Sequence, residues 1–137
     1  RGLGDVYKRQ VFGSSILLSR MEDMLLLRTE ALAVLNRVDD AVEQLNQLRV
    51  KRGLSQVSFK KNFGEDVNKL IDNIFAERRR ELIGEGHRWY DLIRRQRILQ
   101  DDPDFLVRME NGGIYWPVSE EVIRQNNLIR QNEYWNN

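Results

Sequence analysis

The stretch "ERRRELIGEGHRWYDLIRRQR", residues 77–97, concentrates arginines, the only histidine of the chain and a Trp-Tyr pair. Three kinds of chemistry could use such residues. Glu85 and His87 could serve as an acid–base pair, since imidazole titrates near neutrality. No Gly-rich nucleotide loop, metal-ligand cluster or nucleophile motif accompanies them, and a catalytic site needs several converging groups. No catalytic, cofactor-binding or metal-binding residue is therefore assigned, no cofactor is expected, and an enzyme is not expected. The guanidinium groups could instead grip nucleic-acid phosphates, but Glu77, Glu81, Glu85 and Asp91 interleave with them and would repel phosphate. Over the whole chain 22 Lys and Arg face 21 Asp and Glu, so no net field gathers a polyanion. The third use is packing. Long arginine stems and aromatic rings fill the space between helices while the charges pair among themselves, and this reading employs every residue of the stretch.

The elements that would hold these side chains follow from apolar spacing. Val67, Leu70, Ile71, Ile74, Phe75 and Leu82 recur at helical steps, and continuing the steps puts Arg78 on the apolar face while Arg79 and Arg80 point elsewhere. Arg78 is thus expected to be buried and paired, with Glu81 and Glu85 as nearby carboxylates. Gly84 and Gly86 each weaken a helix by about 1 kcal/mol relative to Ala, so a break is expected there. Helical spacing resumes over 87–97, with Trp89, Leu92 and Ile93 inward and Asp91 paired with Arg94 or Arg95.

Upstream, "SRMEDMLLLRTEALAVLNR" reads as an amphipathic helix with a stripe of Met21, Met24, Leu25, Leu32 and Leu35, and Ala31 beside it. After "NRVDD", Asp39 or Asp40 can cap a second helix whose stripe is Ala41, Val42, Leu45 and Leu48, ending in basic residues before Gly53. So short a turn makes the two helices antiparallel. Small Ala31 and Ala41 would sit where they approach, in the format of a tetratricopeptide-type hairpin, although no second copy follows at the repeat spacing. Residues 54–66 read as a polar connecting loop that tucks an aromatic under itself. "QDDPDFLVRMENGG" reads as a second loop, Ile114–Trp116 as short and extended, and Ser119 as the start of a short helix. The fold class is all-α: a tetratricopeptide-like helical hairpin, further packed helices and long irregular loops.

Composition bounds the rest. The 137 residues, 41% of them apolar, are enough for a core. The absence of Cys excludes disulfides, thiolate metal sites, a cysteine nucleophile and a lipid-modified cysteine within this stretch. The longest apolar runs, Ile16–Leu18 and Met24–Leu27, fall far short of a membrane span, which needs roughly 20 residues. No secretory signal is visible. Residues 1–10 fit neither helical nor strand periodicity; a non-native tail and an ordinary frayed terminus suit them equally.

Three segments carry a family resemblance: "LLLRTEALAVLNRVDDAVEQLNQLRVKRGL", "IFAERRRELIGEGHRWYDLIRR" and "IYWPVSEEVIRQNNLIRQNEYW". In order and spacing they resemble the C-terminal part of SusD/RagB-family proteins, the surface nutrient-binding lipoproteins of Bacteroidetes. The specific part is E-R-R-x-E-L followed by E-G-x-R-W-[FY]-D-L, and Arg78, Glu81, Glu85, Arg88, Trp89 and Asp91 match it; the packing argument assigns them to fold stability. The tail lacks several prolines of the family pattern. The resemblance implies an α-α superhelix fragment, residues 11–137 being the C-terminal part of a longer domain whose lipidated N-terminus attaches it to the membrane.

It further implies a surface-exposed place at the cell outer membrane, over a SusC-like TonB-dependent transporter barrel. The activity implied is non-catalytic capture of glycan or another nutrient oligomer for import. Tyr115, Trp116, Tyr134 and Trp135 are the candidate ligand-binding residues, because sugar C–H faces suit aromatic platforms. The alternative is a tetratricopeptide-like adaptor that presents a peptide groove.

Overall fold

The computed structural model of the chain describes residues 19–136. The tail of residues 1–10 and the apolar run Ile16–Leu18 lie outside the described residues. All regular structure among the described residues is helical, and the chain divides into two compact units, one ending at Val67 and the other starting at Asn68.

The first unit is built on helices α1 (Met21–Val34) and α2 (Val38–Lys51), which pack against each other. Their antiparallel course is pinned by Arg52, just past the end of α2, whose Nη2 donates to Glu22 in the first turn of α1 at 3.1 Å. Leu26, Leu32, Ala33, Ala41, Leu45 and Leu48 are their buried apolar residues.

The inward face of α1 is not the stripe that the spacing suggests. Met21 is 78% and Leu35 70% exposed, Met24 is exposed, and Ala31 faces outward. Asp23, Thr29 and Glu30 are buried instead, beside Leu26 and Ala33. Apolar residues surround this helix on all sides, so periodicity selects no face and packing against α2 decides. The Thr29 hydroxyl is satisfied by donating to the Leu25 carbonyl at 2.8 Å.

The turn also differs in detail. Arg37 occupies the N-cap of α2 and gains no side-chain cap, while Asp39 and Asp40 lie within the first turn, where acidic groups complement the positive end of the helix dipole. Arg37 Nε donates to Asp40 at 2.8 Å. At the far end, the Leu54 amide returns to the Arg49 carbonyl at 2.8 Å and closes the helix.

Within the expected loop 54–66 lies a single helical turn, α3 (Phe59–Phe63), with Phe63 buried. Asn46 of α2 holds this crossing in place. Its side-chain amide donates to the Val57 carbonyl at 2.8 Å and accepts from the Val57 amide at 2.7 Å, standing in for a backbone partner.

The second unit contains α4 (Val67–Glu81) from its second residue on, α5 (Arg88–Leu99), α6 (Pro103–Glu110), α7 (Glu120–Gln125) and a terminal 3-10 turn (Glu133–Trp135). On α4, Leu70, Ile71, Ile74 and Phe75 are buried as their spacing requires, with Leu82 just beyond. The helix breaks where Gly84 and Gly86 stand, both at φ near +80°, a region that costs an L side chain strain.

The "QDDPDFLVRMENGG" segment is not a loop throughout. Asp102 caps α6 by accepting from the Phe105 amide at 3.0 Å, and Pro103 takes the first helical position, where its missing N–H costs nothing. Trp89 of α5 meets Phe105 of α6 edge to face, ring centres 6.2 Å apart. Ile114–Trp116 is likewise not extended from its start: Ile114 lies in a turn that the Tyr115 amide closes onto the Gly112 carbonyl at 3.1 Å. The Ser119 start of α7 stands where the spacing puts it.

Candidate functional site

Two surfaces of the second unit could meet a ligand, and the same unit holds a buried ionic framework. Arg78, on the apolar face of α4, is only 2% exposed and directs Nε at both carboxylate oxygens of Asp91, which is 3% exposed. Asp91 also accepts from Arg94 Nη2 at 2.9 Å, and the Arg94 guanidinium lies over the Phe75 ring at 5.4 Å. Arg78 is buried as its place in the stripe requires, and the buried carboxylate at its Nε is that of Asp91 on α5. Of the other signature residues, Trp89 is half-buried against Phe105, whereas Glu85 and Arg88 are exposed.

The first surface is the aromatic tail. The backbone after α7 turns back, and Gln131 clamps Val118 from both sides, donating to its carbonyl at 2.8 Å and accepting from its amide at 3.1 Å. Asn132 donates to the Gly112 carbonyl at 3.0 Å, and Tyr134 presses on Gly113, where even a methyl group would come within 2.7 Å of its ring. The Trp135 indole N–H donates to the Tyr115 carbonyl at 2.8 Å, and its ring meets Tyr134 edge to face at 4.9 Å. Tyr134 is thus spent on packing and Trp135 is partly so. Tyr115 is 63% and Trp116 86% exposed, leaving two rings open to solvent.

The second surface is an open cleft of about 400 Å³ along α4 and the start of α5. Arg79, Arg80, Arg88 and Arg95 line it with Asp72, over apolar walls of Phe75, Ala76 and Ile83. Arg95 is held firmly: Nε donates to Asp72 at 2.7 Å, and Nη1 and Nη2 donate to Asp101 at 3.0 and 2.8 Å. The hydrogen bonds to Asp101 raise the Arg95 pKa most, against the opposing effect of burial, and Asp72 adds to them. In return the Arg95 guanidinium holds the Asp101 carboxyl below its ordinary range. This cleft escaped sequence reading, although Asp72, Ala76, Arg79 and Ile83 step along one helical face and Arg88 and Arg95 along another.

Glu85 is exposed and His87 half-buried in the turn between α4 and α5. Among the described residues no group of three or more His, Asp or Glu is placed to hold a metal ion, and no helix is long and apolar enough to cross a membrane.

A helical hairpin and a second helical unit with an open surface cleft and an ionic core define a helical scaffold of the tetratricopeptide-like kind. The sequence narrows this to one family. The SusD family model matches residues 5–103, and the chain belongs to that family. It is 35% identical over 131 residues to the SusD-like protein P38 of Formosa agariphila, an alignment that covers 87% of the chain and 24% of that protein. It is also similar to a crystal structure of a SusD superfamily protein from Bacteroides thetaiotaomicron, with 57% identity and a TM-score of 0.81, covering 93% of the chain and 28% of that structure. The chain therefore spans about a quarter of the length of these relatives.

Proposed function

We propose that the chain works as the C-terminal portion of a surface-exposed outer-membrane lipoprotein. In this reading it captures glycan, or another nutrient oligomer, without catalysis and delivers it to a SusC-like TonB-dependent transporter barrel. The observation that carries this reading is the likeness to the Bacteroides SusD superfamily structure at 57% identity over 93% of the chain. Tyr115 and Trp116 are the rings best placed to stack on sugar in this portion, because they are the most open of the four candidate aromatics; Trp135 braces the Tyr115 backbone and Tyr134 anchors the tail. Arg78, Trp89 and Asp91 serve the fold that presents them.

The test is made in cells that carry the gene in its native setting, with a tag at the C-terminus of the encoded protein. Protease shaving of intact cells removes the tag if the protein is surface-exposed, and mild detergent extraction recovers a TonB-dependent barrel with it. A tag protected until the cells are lysed, with no barrel recovered, overturns the reading and moves the peptide-binding adaptor ahead.

A further inference from the structure

We propose that the cleft along α4 and the start of α5 binds the oxyanion group, carboxylate or sulfate, of an acidic saccharide; this rests on the glycan-capture reading and names a ligand class for it. The four guanidinium groups of the cleft are not equivalent. Arg95 is held by three hydrogen bonds to Asp72 and Asp101, and Arg80 is engaged by Glu77 at 3.2 Å. Arg79 and Arg88 form no hydrogen bond or ion pair among the described residues, yet both line the cleft. Two fixed cations thus frame a space in which two others keep their planar donor forks unused, and such forks match a carboxylate or sulfate edge with paired N–H···O bonds.

Helix stability explains part of this charge and not the rest. Arg79 and Arg80 lie in the last turn of α4, where cations complement the dipole. Arg88 is the first residue of α5, at the positive end, where a cation works against the helix. An anion bound beside Arg88 would reverse that cost. The apolar part of the cleft argues for an organic carrier of the anion. Ile83, 82% exposed, and Ala76 offer a wall for the C–H face of a sugar ring, and the volume of about 400 Å³ suits a small-molecule site.

The experiment uses the nitrogen-15-labelled chain and reads the Nε–Hε resonances of its arginines and the indole resonances of its tryptophans. The probes are a trigalacturonate, a sulfated disaccharide, neutral maltotriose and inorganic sulfate, all at one fixed ionic strength. The expected result is saturable movement of Arg79 and Arg88 with an acidic saccharide, half-saturated at a concentration at least tenfold below that for inorganic sulfate. The double variant R79Q/R88Q should weaken this about tenfold or more while the rest of the spectrum stays in place, since both side chains are exposed.

Inorganic sulfate binding as well as the acidic saccharides would overturn the proposal in favour of a free-anion site. Movement that grows without saturation for every probe would overturn it as bulk charge attraction. Maltotriose shifting the Trp116 indole, with the arginines unmoved by any probe, would overturn it while leaving glycan capture standing. No response to any saccharide anywhere in the spectrum would count against both.

Discussion

Arg78 Nε donates to Asp91 Oδ1 at 3.2 Å and to Oδ2 at 3.1 Å, joining α4 to α5 through a pair that solvent barely reaches. Taking both charges out of water is expensive, and their mutual attraction offsets that cost only while each has the other. Removing one partner strips the other of its most buried counter-charge, and Asp91 would keep the partly exposed Arg94. Arg78→Ala is expected to destabilise the fold by about 3–5 kcal/mol, lowering Tm by roughly 10 °C or more, and Asp91→Ala should do likewise. The double variant R78M/D91L removes both charges and should recover most of the loss. Thermal unfolding followed by circular dichroism measures all three; equal damage from the double variant would mean that packing shape, and not the uncompensated charge, sets the cost.

Asn46 carries a different kind of burden, holding the connection after α2 by bonding to both backbone groups of Val57. Asn46→Ala leaves an N–H and a C=O in a half-buried place without those partners, at an expected cost of about 1–3 kcal/mol. The local effect should exceed the global one. Hydrogen exchange at the Val57 amide is expected to accelerate more than exchange in the middle of α2, and uniform acceleration across the unit would contradict the clamp.

These two pairs mark how much of the molecule its sequence discloses. Arg78 could be placed inside because it interrupts a regular apolar stripe, and a charge there must find a partner; that the carboxylate at its Nε comes from Asp91 depends on how the Gly84–Gly86 turn folds α5 back, which spacing does not encode. The face of α1 was illegible because apolar residues surround that helix. The start of α6 was legible in principle: Asp102 then Pro103 is an N-cap followed by a first-turn proline, with Phe105, Leu106 and Met109 at helical spacing, but the surrounding acids and glycines read as loop. The arginine cleft needed three dimensions, since each of its two rows is visible on its own helix but their meeting is not. The open state of Trp116 and the buried edge of Tyr134 follow from the Gln131 and Asn132 clamps, which no local motif announces.

Gly113 lies where the tail crosses the turn after α6, and a Cβ there would stand 2.7 Å from both Arg108 Cγ and the Tyr134 ring. Rings do not yield as a flexible side chain does, so Gly113→Ala is expected to lift Tyr134 from its seat at a cost of roughly 1–3 kcal/mol. The Trp135 bond to the Tyr115 carbonyl would loosen with it. Red-shifted tryptophan emission and faster proteolysis after residue 130 are the expected readouts, and unchanged emission with unchanged cleavage would show that the tail accommodates the methyl group.

Asp101 gives the fold a modest dependence on acid. Its carboxyl is held below the ordinary value of 3.8 chiefly by the hydrogen bonds from Arg95, and Glu22 is similarly held below 4.5, chiefly by a backbone amide hydrogen bond, with Arg52 adding to it. A carboxylate whose folded pKa is depressed contributes stability above its unfolded value and loses that contribution as pH falls through the folded one. The benefit of the Arg95–Asp101 pair should therefore be complete at neutral pH, begin to fade below about pH 5, and vanish once pH drops beneath the depressed folded pKa. Asp101 is about half exposed, so solvent screens the pair and its worth is small, about 0.5 kcal/mol or less. Asp101→Asn is expected to lower Tm slightly at pH 7, by roughly 1–2 °C, and the difference should shrink as pH falls toward the depressed folded pKa. A difference that does not shrink at all as pH falls through the acid range would assign the effect to lost hydrogen-bond geometry and not to charge.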